Sequence, residues 1–193
     1  MAIRTIGAGF STGRLLSTCL LLCAVAAIPA SAQTPWPVPA PADVQTLDGI
    51  MRAYYEVVSG AEGEARYWDR DKSLHVPGAQ VVITGAVGDS LAIRKVSIGE
   101  WHAQSGDVQR ASFFEYEVAR EVRQHGSTVH VWSTYESRSD PDGEVTSQGI
   151  NSIEMIWDGT RYWITSWTFD GRGTPVPLEY QPQHVVGGVG SHN

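Results

Sequence analysis

Residues 113–138 read FFEYEVAREVRQHGSTVHVWSTYESR, and this stretch decides the fold. Aromatic and β-branched residues recur on both sides of Gly126-Ser127, a pair typical of a two-residue hairpin turn. Such a turn places Val122 opposite Val131 and makes one face of the hairpin apolar and the other charged. This alternation predicts a sheet that covers a core on one face only.

Two further segments continue the pattern toward the C-terminus. Residues 149–157 and 162–169 are again rich in β-branched and aromatic residues, and turn sequences at 140–143 and 158–159 precede them. Short connections of this kind join antiparallel strands. We therefore expect a meander of four strands, at 113–124, 128–138, 149–157 and 162–169.

Helical patterns precede the meander. Over residues 43–59 the apolar residues recur at spacings of three and four, with Asp43 as a candidate N-cap and Gly60 after the last turn. Helices followed by antiparallel strands predict an α+β fold, with the helices packed on one face of a curved sheet. The other upstream elements are expected at 64–74 (helix), 79–84 (strand) and from Ser97 onward (helix, with a Ser97–Glu100 capping box).

The first 32 residues have the pattern of a secretory signal peptide. Arg4 and Arg14 precede an apolar run at 15–28, and Ala30-Ser31-Ala32 supplies small residues for cleavage. The apolar run is shorter than the roughly 20 residues that a membrane-spanning helix needs. We therefore expect export, cleavage after Ala32, and a periplasmic or secreted product without membrane contact.

Composition excludes several classes of protein. The chain has 193 residues and a formal net charge of −7, and both cysteines lie in the signal peptide. Without cysteine, the remaining chain is neither disulfide-framed nor built around a cysteine-ligated metal. Its negative charge opposes binding to a phosphate backbone, so no nucleic-acid partner is expected.

Proline and glycine mark the limits of the domain. Residues 33–42 contain four prolines and are expected to form an extended leader. Residues 183–193 are glycine-rich and are expected to form a flexible tail. The globular domain is therefore expected at 43–182.

Four polar side chains interrupt the apolar, helix-facing surface of the predicted sheet. They are Tyr116, Ser133, Tyr135 and Asn151. A ligand cavity combines apolar walls with a few hydrogen-bonding groups, so these residues are candidates for a pocket lining. The alternative is that they close the end of an ordinary core.

The opposite face of the sheet leaves two features open. Glu117 is expected opposite Glu136, either as a carboxylate pair with separated pKa values or among solvated or dimer-bridging charges. A tight turn at 158–159 points Trp163 and Trp167 away from the helices, whereas a loop one residue longer points them into the pocket. An outward tryptophan row predicts a homodimer through the sheet.

Several strings resemble proteins of the nuclear-transport-factor-2-like (NTF2-like) superfamily over roughly residues 43–182. They are IMRAYYEVVSG at 50–60, WDR at 68–70, STYESR at 133–138, PDGE at 141–144, GINSI at 149–153 and the Trp-rich last strand. The resemblance implies a cone-shaped half-barrel, in which a curved antiparallel sheet wraps around three N-terminal helices. It also implies a cavity between helices and sheet, and frequent dimerisation.

The superfamily contains isomerases, dehydratases, cyclases and epoxide hydrolases as well as non-catalytic binding modules, so the fold alone assigns no function. The resemblance implies a tyrosine from the first helix, an acid or histidine, and further polar groups from the meander. The residues available for these roles are Tyr54 or Tyr55, Asp69 or His75, and Tyr135 with Asn151. No positions of this sequence match the base-and-acid pair of the isomerases or the two histidines of the dehydratases. We therefore assign neither activity to this protein.

These arguments select two groups of candidate site residues. Asp69 beside Trp68 is a candidate general base or acid, although an aspartate followed by Arg70 also fits a salt bridge on a helix. The candidates are Asp69 and Tyr54 for catalysis, and Tyr55, Trp68, Tyr116, Ser133, Tyr135 and Asn151 for ligand binding.

The expected function is that of an exported, homodimeric domain that binds a small apolar or aromatic molecule in its cavity. The alternative is an isomerase, dehydratase or hydrolase that applies acid–base chemistry to such a molecule. No metal is expected, because the histidines do not cluster in the sequence. No cofactor is expected either, because the sequence has no glycine-rich phosphate loop.

Overall fold

The computed structural model describes residues 35–182. The predicted signal peptide at 1–32 and the predicted tail at 183–193 lie outside these residues. In the described part of the chain, no helix has the length and apolar character needed to cross a membrane. The proline-rich segment is described from Pro35 onward and contacts the domain, since Trp36 packs against the core and donates a 3.0 Å hydrogen bond to the His75 carbonyl.

The first half of the described chain contains four helices and two strands, and four further strands occupy most of the second half. The helices are α1 (Pro41–Val44), α2 (Leu47–Glu56), α3 (Trp68–Leu74) and α4 (Ile98–Ser105), and a 3-10 turn covers Leu178–Tyr180. The strands are β1 (His75–Val87), β2 (Ser90–Ser97), β3 (Phe114–His125), β4 (Thr128–Arg138), β5 (Val145–Trp157) and β6 (Tyr162–Asp170).

The first predicted helix is interrupted, so the expectation of one helix over 43–59 is wrong. Helix α2 begins after Thr46, whose side chain accepts a hydrogen bond from the Gly49 N–H. A threonine cap satisfies a free N–H and so starts a new helix. Asp43 is not the N-cap, because its carboxylate instead pairs with arginines of α2 and α3.

The other upstream predictions have different outcomes. The capping box of Ser97 and Glu100 is confirmed at the start of α4. Helix α3 begins at Trp68 rather than at residue 64, because isolated bridges pair the preceding segment with the loop before β3. The strand predicted at 79–84 is longer, and as β1 it forms a hairpin with β2, which the pattern did not predict.

The strands form one curved, unclosed sheet in the order β2-β1-β6-β5-β4-β3. Neighbours are antiparallel except β1 and β6, which run parallel. The helices cover one face, which we call the inner face, and the predicted α+β fold is confirmed. Ile50, Met51 and Leu74 from the helices share one buried core with Val131 and Ile153 of the inner face. Each such side chain contributes about 1.5–3 kcal/mol when it is buried.

A β-bulge changes the register of the β3/β4 hairpin just after Glu117. From the bulge to the turn, the predicted pairs are confirmed. Before the bulge each pair moves by one residue, so that Glu117 lies opposite Tyr135 and Tyr116 opposite Glu136. The expected pairing of Glu117 with Glu136 is therefore wrong. Because a shift of one residue exchanges the faces, Glu115 and Glu117 turn to the inner face and Tyr116 to the outer face.

A second irregularity divides β6. Trp163 lies opposite Ile156 on the outer face, whereas Trp167 lies opposite Ile153 on the inner face, with the register shift between them. Trp167 is 5% exposed and belongs to the core. The expectation that one turn directs both tryptophans to the same side is therefore wrong, because a bulge inside the strand reverses the alternation.

Candidate functional site

The candidate site is a cleft between α2 and β3, which we call the α2/β3 cleft. It encloses about 520 Å³, a volume within the range of small-molecule pockets. Tyr55 and Ser59 line it from α2 and the turn that follows, and Glu115, Glu117 and Arg120 line it from β3. The other lining residues are Asp48, Arg52, Glu56 and Tyr116.

Ser59 joins the end of α2 to the beginning of β3. Its hydroxyl donates to the Tyr55 carbonyl at 2.8 Å and accepts from the Glu115 N–H at 2.9 Å. These two hydrogen bonds hold the first residues of β3 against the helix. The bulge after Glu117 then directs both glutamate side chains into the cleft.

Four polar side chains form a hydrogen-bonded chain at the cleft. Asn151 Nδ2 donates to the Tyr55 hydroxyl at 3.3 Å, the Tyr55 and Ser133 hydroxyls are 2.7 Å apart, and Ser133 Oγ donates to Glu117 Oε1 at 2.6 Å. Because Ser133 gives its one proton to Glu117, the Tyr55 hydroxyl donates to Ser133. Every donor thus points toward the next acceptor, and the chain ends on the Glu117 carboxylate.

Glu117 experiences opposing influences. Burial raises the pKa of Glu117, whereas the Ser133 hydrogen bond and the positive charge of Arg120 lower it. Arg120 Nε lies 3.5 Å from the Glu117 carboxylate, and the same guanidinium also pairs with Asp48. Burial outweighs these partners, but each of them favours the ionised form.

Glu115 lacks such partners. Burial raises the pKa of Glu115 to about 8, and no donor within residues 35–182 bonds to its carboxyl group. At neutral pH the carboxyl is therefore mainly protonated, and its O–H is a hydrogen-bond donor. Glu115 and Glu117 thus differ in their environment although they lie two residues apart on one strand.

Two carboxyl groups in different environments have two chemical uses. The pair is suited to hydrogen-bond a molecule that offers both a donor and an acceptor. It also supplies a proton donor and a proton acceptor, because environments that separate the pKa values of two carboxyls separate their roles. Both uses depend on the same two side chains.

Several of the predicted ligand-binding residues lie together. Tyr55, Ser133 and Asn151 are members of the hydrogen-bonded chain. Tyr135 lies on the same inner face, where burial and the negative charge of Glu115 raise the pKa of Tyr135 to about 12. The sequence-based pairing of Ser133 with Asn151 is confirmed by the β4/β5 register.

The two catalytic candidates lie outside the α2/β3 cleft. Tyr54 is buried in the core, where its ring makes edge contacts with Tyr55 and Trp167 at centroid distances of 5.0 and 5.9 Å. Asp69 is exposed in the first turn of α3. The structure therefore does not bring Asp69 and Tyr54 together with Glu115 and Glu117.

The remaining candidates are also separate from the hydrogen-bonded chain. Trp68 stacks on His102 of α4, with ring centroids 4.1 Å apart, and lines a different cleft. Tyr116 points outward, 40% exposed, with the Arg138 guanidinium 5.9 Å from its ring centroid. His75 is fully buried, and its Nδ1 lies 2.7 Å from the Asp71 carbonyl oxygen.

The inward glutamates Glu115 and Glu117 were missed as site residues. Strict alternation assigned them to the charged outer face, and the bulge reverses that assignment. The sequence contains one signal of this bulge, because Val118-Ala119 places two apolar residues side by side inside an alternating segment.

A buried aspartate–histidine contact was also missed. His102 Nε2 lies 2.6 Å from Asp71 Oδ2, and both residues are buried. They come from α4 and α3, so the contact depends on tertiary packing. Among residues 35–182, no group of three or more histidine, cysteine or acidic side chains is arranged to hold a metal ion.

No protein-family model and no curated protein matches the chain. One similar solved structure is an NTF2-like protein of unknown function from Methylobacillus flagellatus KT, 14% identical with a TM-score of 0.40, which covers 65% of this chain and 93% of that chain. Another is the C. albicans Mtr2–Mex67 M domain complex, a chain of which is 12% identical with a TM-score of 0.43, covering 69% of this chain and 96% of its own.

The architecture agrees with the resemblance seen in the sequence. Helices lie against the inner face of a curved six-stranded sheet, and a cleft opens between the two layers. The protein therefore has an α+β fold, in which helices cover one face of a curved, unclosed sheet.

Proposed function

We propose that this protein binds a small molecule in the α2/β3 cleft. The observation that carries the proposal is the presence of two inward glutamates, one at the end of a hydrogen-bonded chain and one without a donor in the described part of the chain. Burying a carboxyl group costs free energy of folding. A ligand that bonds to both groups explains why the cleft keeps them.

The two carboxyls define the ligand's polar groups. The Glu117 carboxylate accepts a hydrogen bond from a hydroxyl or amine, and the protonated Glu115 donates one to an oxygen or nitrogen acceptor. A wholly apolar ligand leaves the Glu115 carboxyl without a partner in a dehydrated site, which is costly. We therefore propose a small molecule with an apolar body and at least one donor and one acceptor, rather than a purely apolar one.

A fragment screen by ligand-observed NMR tests this proposal. The unaltered protein is compared with Glu117→Gln and with the matched control Glu121→Gln, which removes an exposed charge from the same strand on the other side of the bulge. Fragments with a hydroxyl or amine should lose binding to Glu117→Gln and keep it with Glu121→Gln. Two results would show that the cleft is not the binding site: fragments that bind all three proteins equally, or a screen in which no fragment binds the unaltered protein.

Acid–base catalysis on the same ligand is the second candidate function. Burial raises the pKa of Glu115 to about 8, which keeps a proton on this carboxyl at neutral pH. Glu115 is then the general acid and Glu117 the general base, as in sites where two carboxyls have different environments. The sequence-based alternative, with Asp69 as the base and Tyr54 or Tyr55 as the polarising group, stays a prediction.

Measurements of turnover distinguish catalysis by Glu115 and Glu117 from catalysis by Asp69 once a ligand is known. Glu115→Gln should abolish turnover while binding persists, and the activity of the unaltered protein should fall as pH rises past about 8 and Glu115 loses its proton. Turnover that persists in Glu115→Gln contradicts this assignment. Loss of turnover in a folded Asp69→Asn variant would favour the alternative.

We also propose that the protein is exported. Support comes from the basic, apolar and small-residue pattern of residues 1–32. N-terminal sequencing of the product from the periplasm and the medium should find a chain that begins at Gln33. A full-length chain confined to the cytoplasm would contradict export.

A further inference from the structure

A second cleft lies beside α4, the start of α3 and the loop before β3. It encloses about 330 Å³. Its walls include three aromatic side chains, Trp68, Trp101 and Phe113, and two arginines, Arg66 and Arg110. Aromatic walls next to cationic side chains are a suitable environment for a flat molecule that carries a negative charge.

The two arginines have no carboxylate partner in the part of the chain that the structure describes. Within residues 35–182 neither forms an ion pair, in contrast to Arg52, Arg70 and Arg120. The rest of the chain contains no aspartate or glutamate that could pair with them. In a protein with a net charge of −7, two neighbouring arginines without an acidic partner among the described residues are a suitable site for an external anion.

One guanidinium group faces the Trp68 indole, and the other lies beside the residue to which that indole is hydrogen-bonded. The Arg66 guanidinium lies 5.1 Å from the ring centroid of Trp68. The Arg110 guanidinium lies beside Gly106, whose carbonyl accepts a 2.9 Å hydrogen bond from the Trp68 indole. Burial and the positive charge of Arg110 lower the pKa of Arg66. An anion bound between the two groups relieves this repulsion.

The hydrogen-bonding capacity of the cleft is only partly used. Arg66 Nε is buried without a partner in the described chain, and Arg66 Nη1 reaches the Val58 carbonyl only at 3.5 Å. A buried group without a partner is costly unless a ligand or water completes it.

The backbone holds these residues in place before any ligand binds. The Arg66 N–H donates to the Asp107 carbonyl at 2.9 Å, and the Gln109 N–H donates to the Glu64 carbonyl at 2.8 Å. The two loop segments therefore form a short antiparallel ladder that carries Arg66 on one side and Arg110 on the other. A site prepared in this way loses little entropy on binding.

We propose that this cleft is a second binding site, and that its ligand is a flat aromatic carboxylate. The aromatic ring packs against Trp68, Trp101 and Phe113, and the carboxylate bonds to Arg66 and Arg110. This site and its ligand do not depend on the α2/β3 cleft.

Calorimetric titration with 2-naphthoate tests the proposal, and 2-naphthamide is the neutral control of the same shape. Arg110→Gln removes one cationic group. Arg110 is exposed and makes no hydrogen bond in the described chain, so this variant should fold. Arg123→Gln is the matched control, because it removes an exposed arginine from the far part of β3.

The proposal predicts saturable binding of 2-naphthoate to the unaltered protein and to Arg123→Gln. Binding to Arg110→Gln, and binding of 2-naphthamide to the unaltered protein, should each be about tenfold weaker or more, since a charge-assisted hydrogen bond is lost. In NMR spectra recorded during a titration with 2-naphthoate, the indole N–H signals of Trp68 and Trp101 should shift. Equal affinity for acid and amide, unchanged affinity in Arg110→Gln, or absence of saturable binding at millimolar concentration would each overturn the proposal.

Discussion

Replacing Glu115 with glutamine should increase the free energy of unfolding, and the increase should grow with pH. Burial raises the pKa of Glu115 to about 8 from its ordinary 4.5, so the folded protein holds a proton that the unfolded chain releases. Below about pH 4.5 both states are protonated and the group has no effect. As pH rises from there to about 8, the folded protein loses stability relative to the unfolded chain, and above about 8 the loss is complete.

The size of this effect follows from the difference between the two pKa values. At about 1.4 kcal/mol for each pKa unit, the difference between 8 and 4.5 corresponds to about 5 kcal/mol. Glu115 is partly exposed, and solvent screening reduces this value. We therefore expect Glu115→Gln to be more stable than the unaltered protein by about 2–3 kcal/mol at pH 9 and by much less at pH 5.

Urea denaturation at pH 5, 7 and 9 measures the effect. The control is Glu121→Gln, which removes an exposed charge from the same strand and should show little dependence on pH. A stability difference between Glu115→Gln and the unaltered protein that stays constant from pH 5 to pH 9 would refute the reasoning. So would a variant that is less stable at pH 9, because the carboxylate would then have partners that glutamine cannot replace.

Three further predictions concern the core and the sheet. Tyr55→Phe should lower the free energy of unfolding by about 1–2 kcal/mol, because its two buried partners lose a hydrogen bond; a change near zero in urea denaturation would contradict this. Gly149→Ala should cost about 1–3 kcal/mol, because the added Cβ meets the Tyr135 ring, and an unchanged melting temperature would show that the ring moves freely. The expected homodimer should dissociate in Ile156→Asp but not in Ile93→Asp. The second variant is the control, because it changes an exposed residue of edge strand β2. Analytical sedimentation that gives the same mass for both variants would rule out association through the outer face.

Local sequence patterns predicted most elements of the fold. The alternation of apolar and polar residues predicted β4 at its observed limits, and the capping box placed the start of α4. Both are local features that a few neighbouring residues specify. The same alternation also paired Ser133 with Asn151, two residues that the structure places beside Tyr55.

The face to which a side chain points could not be predicted in the same way where a β-bulge adds one residue to a strand. The bulge after Glu117 reverses the faces of the first part of β3, and the irregularity in β6 separates Trp163 from Trp167. Side chains alternate with a period of two, so a single unpaired residue reverses the predicted face of every residue beyond it, counted from the hairpin turn. For this reason the sequence predicted the four strands of the meander and yet assigned Glu115 to the wrong face.

The sequence by itself determined the α+β class, the hairpin turns, the apolar inner face and the candidates Tyr55, Ser133 and Asn151. Only the tertiary structure decided that Glu115 and Glu117 face the α2/β3 cleft and that Arg66 and Arg110 lie together without acidic partners. Class and turns follow from short-range periodicity and turn chemistry. Burial, pairing and charge environment arise from segments far apart in the chain, and they depend on where bulges and loops bring those segments into contact.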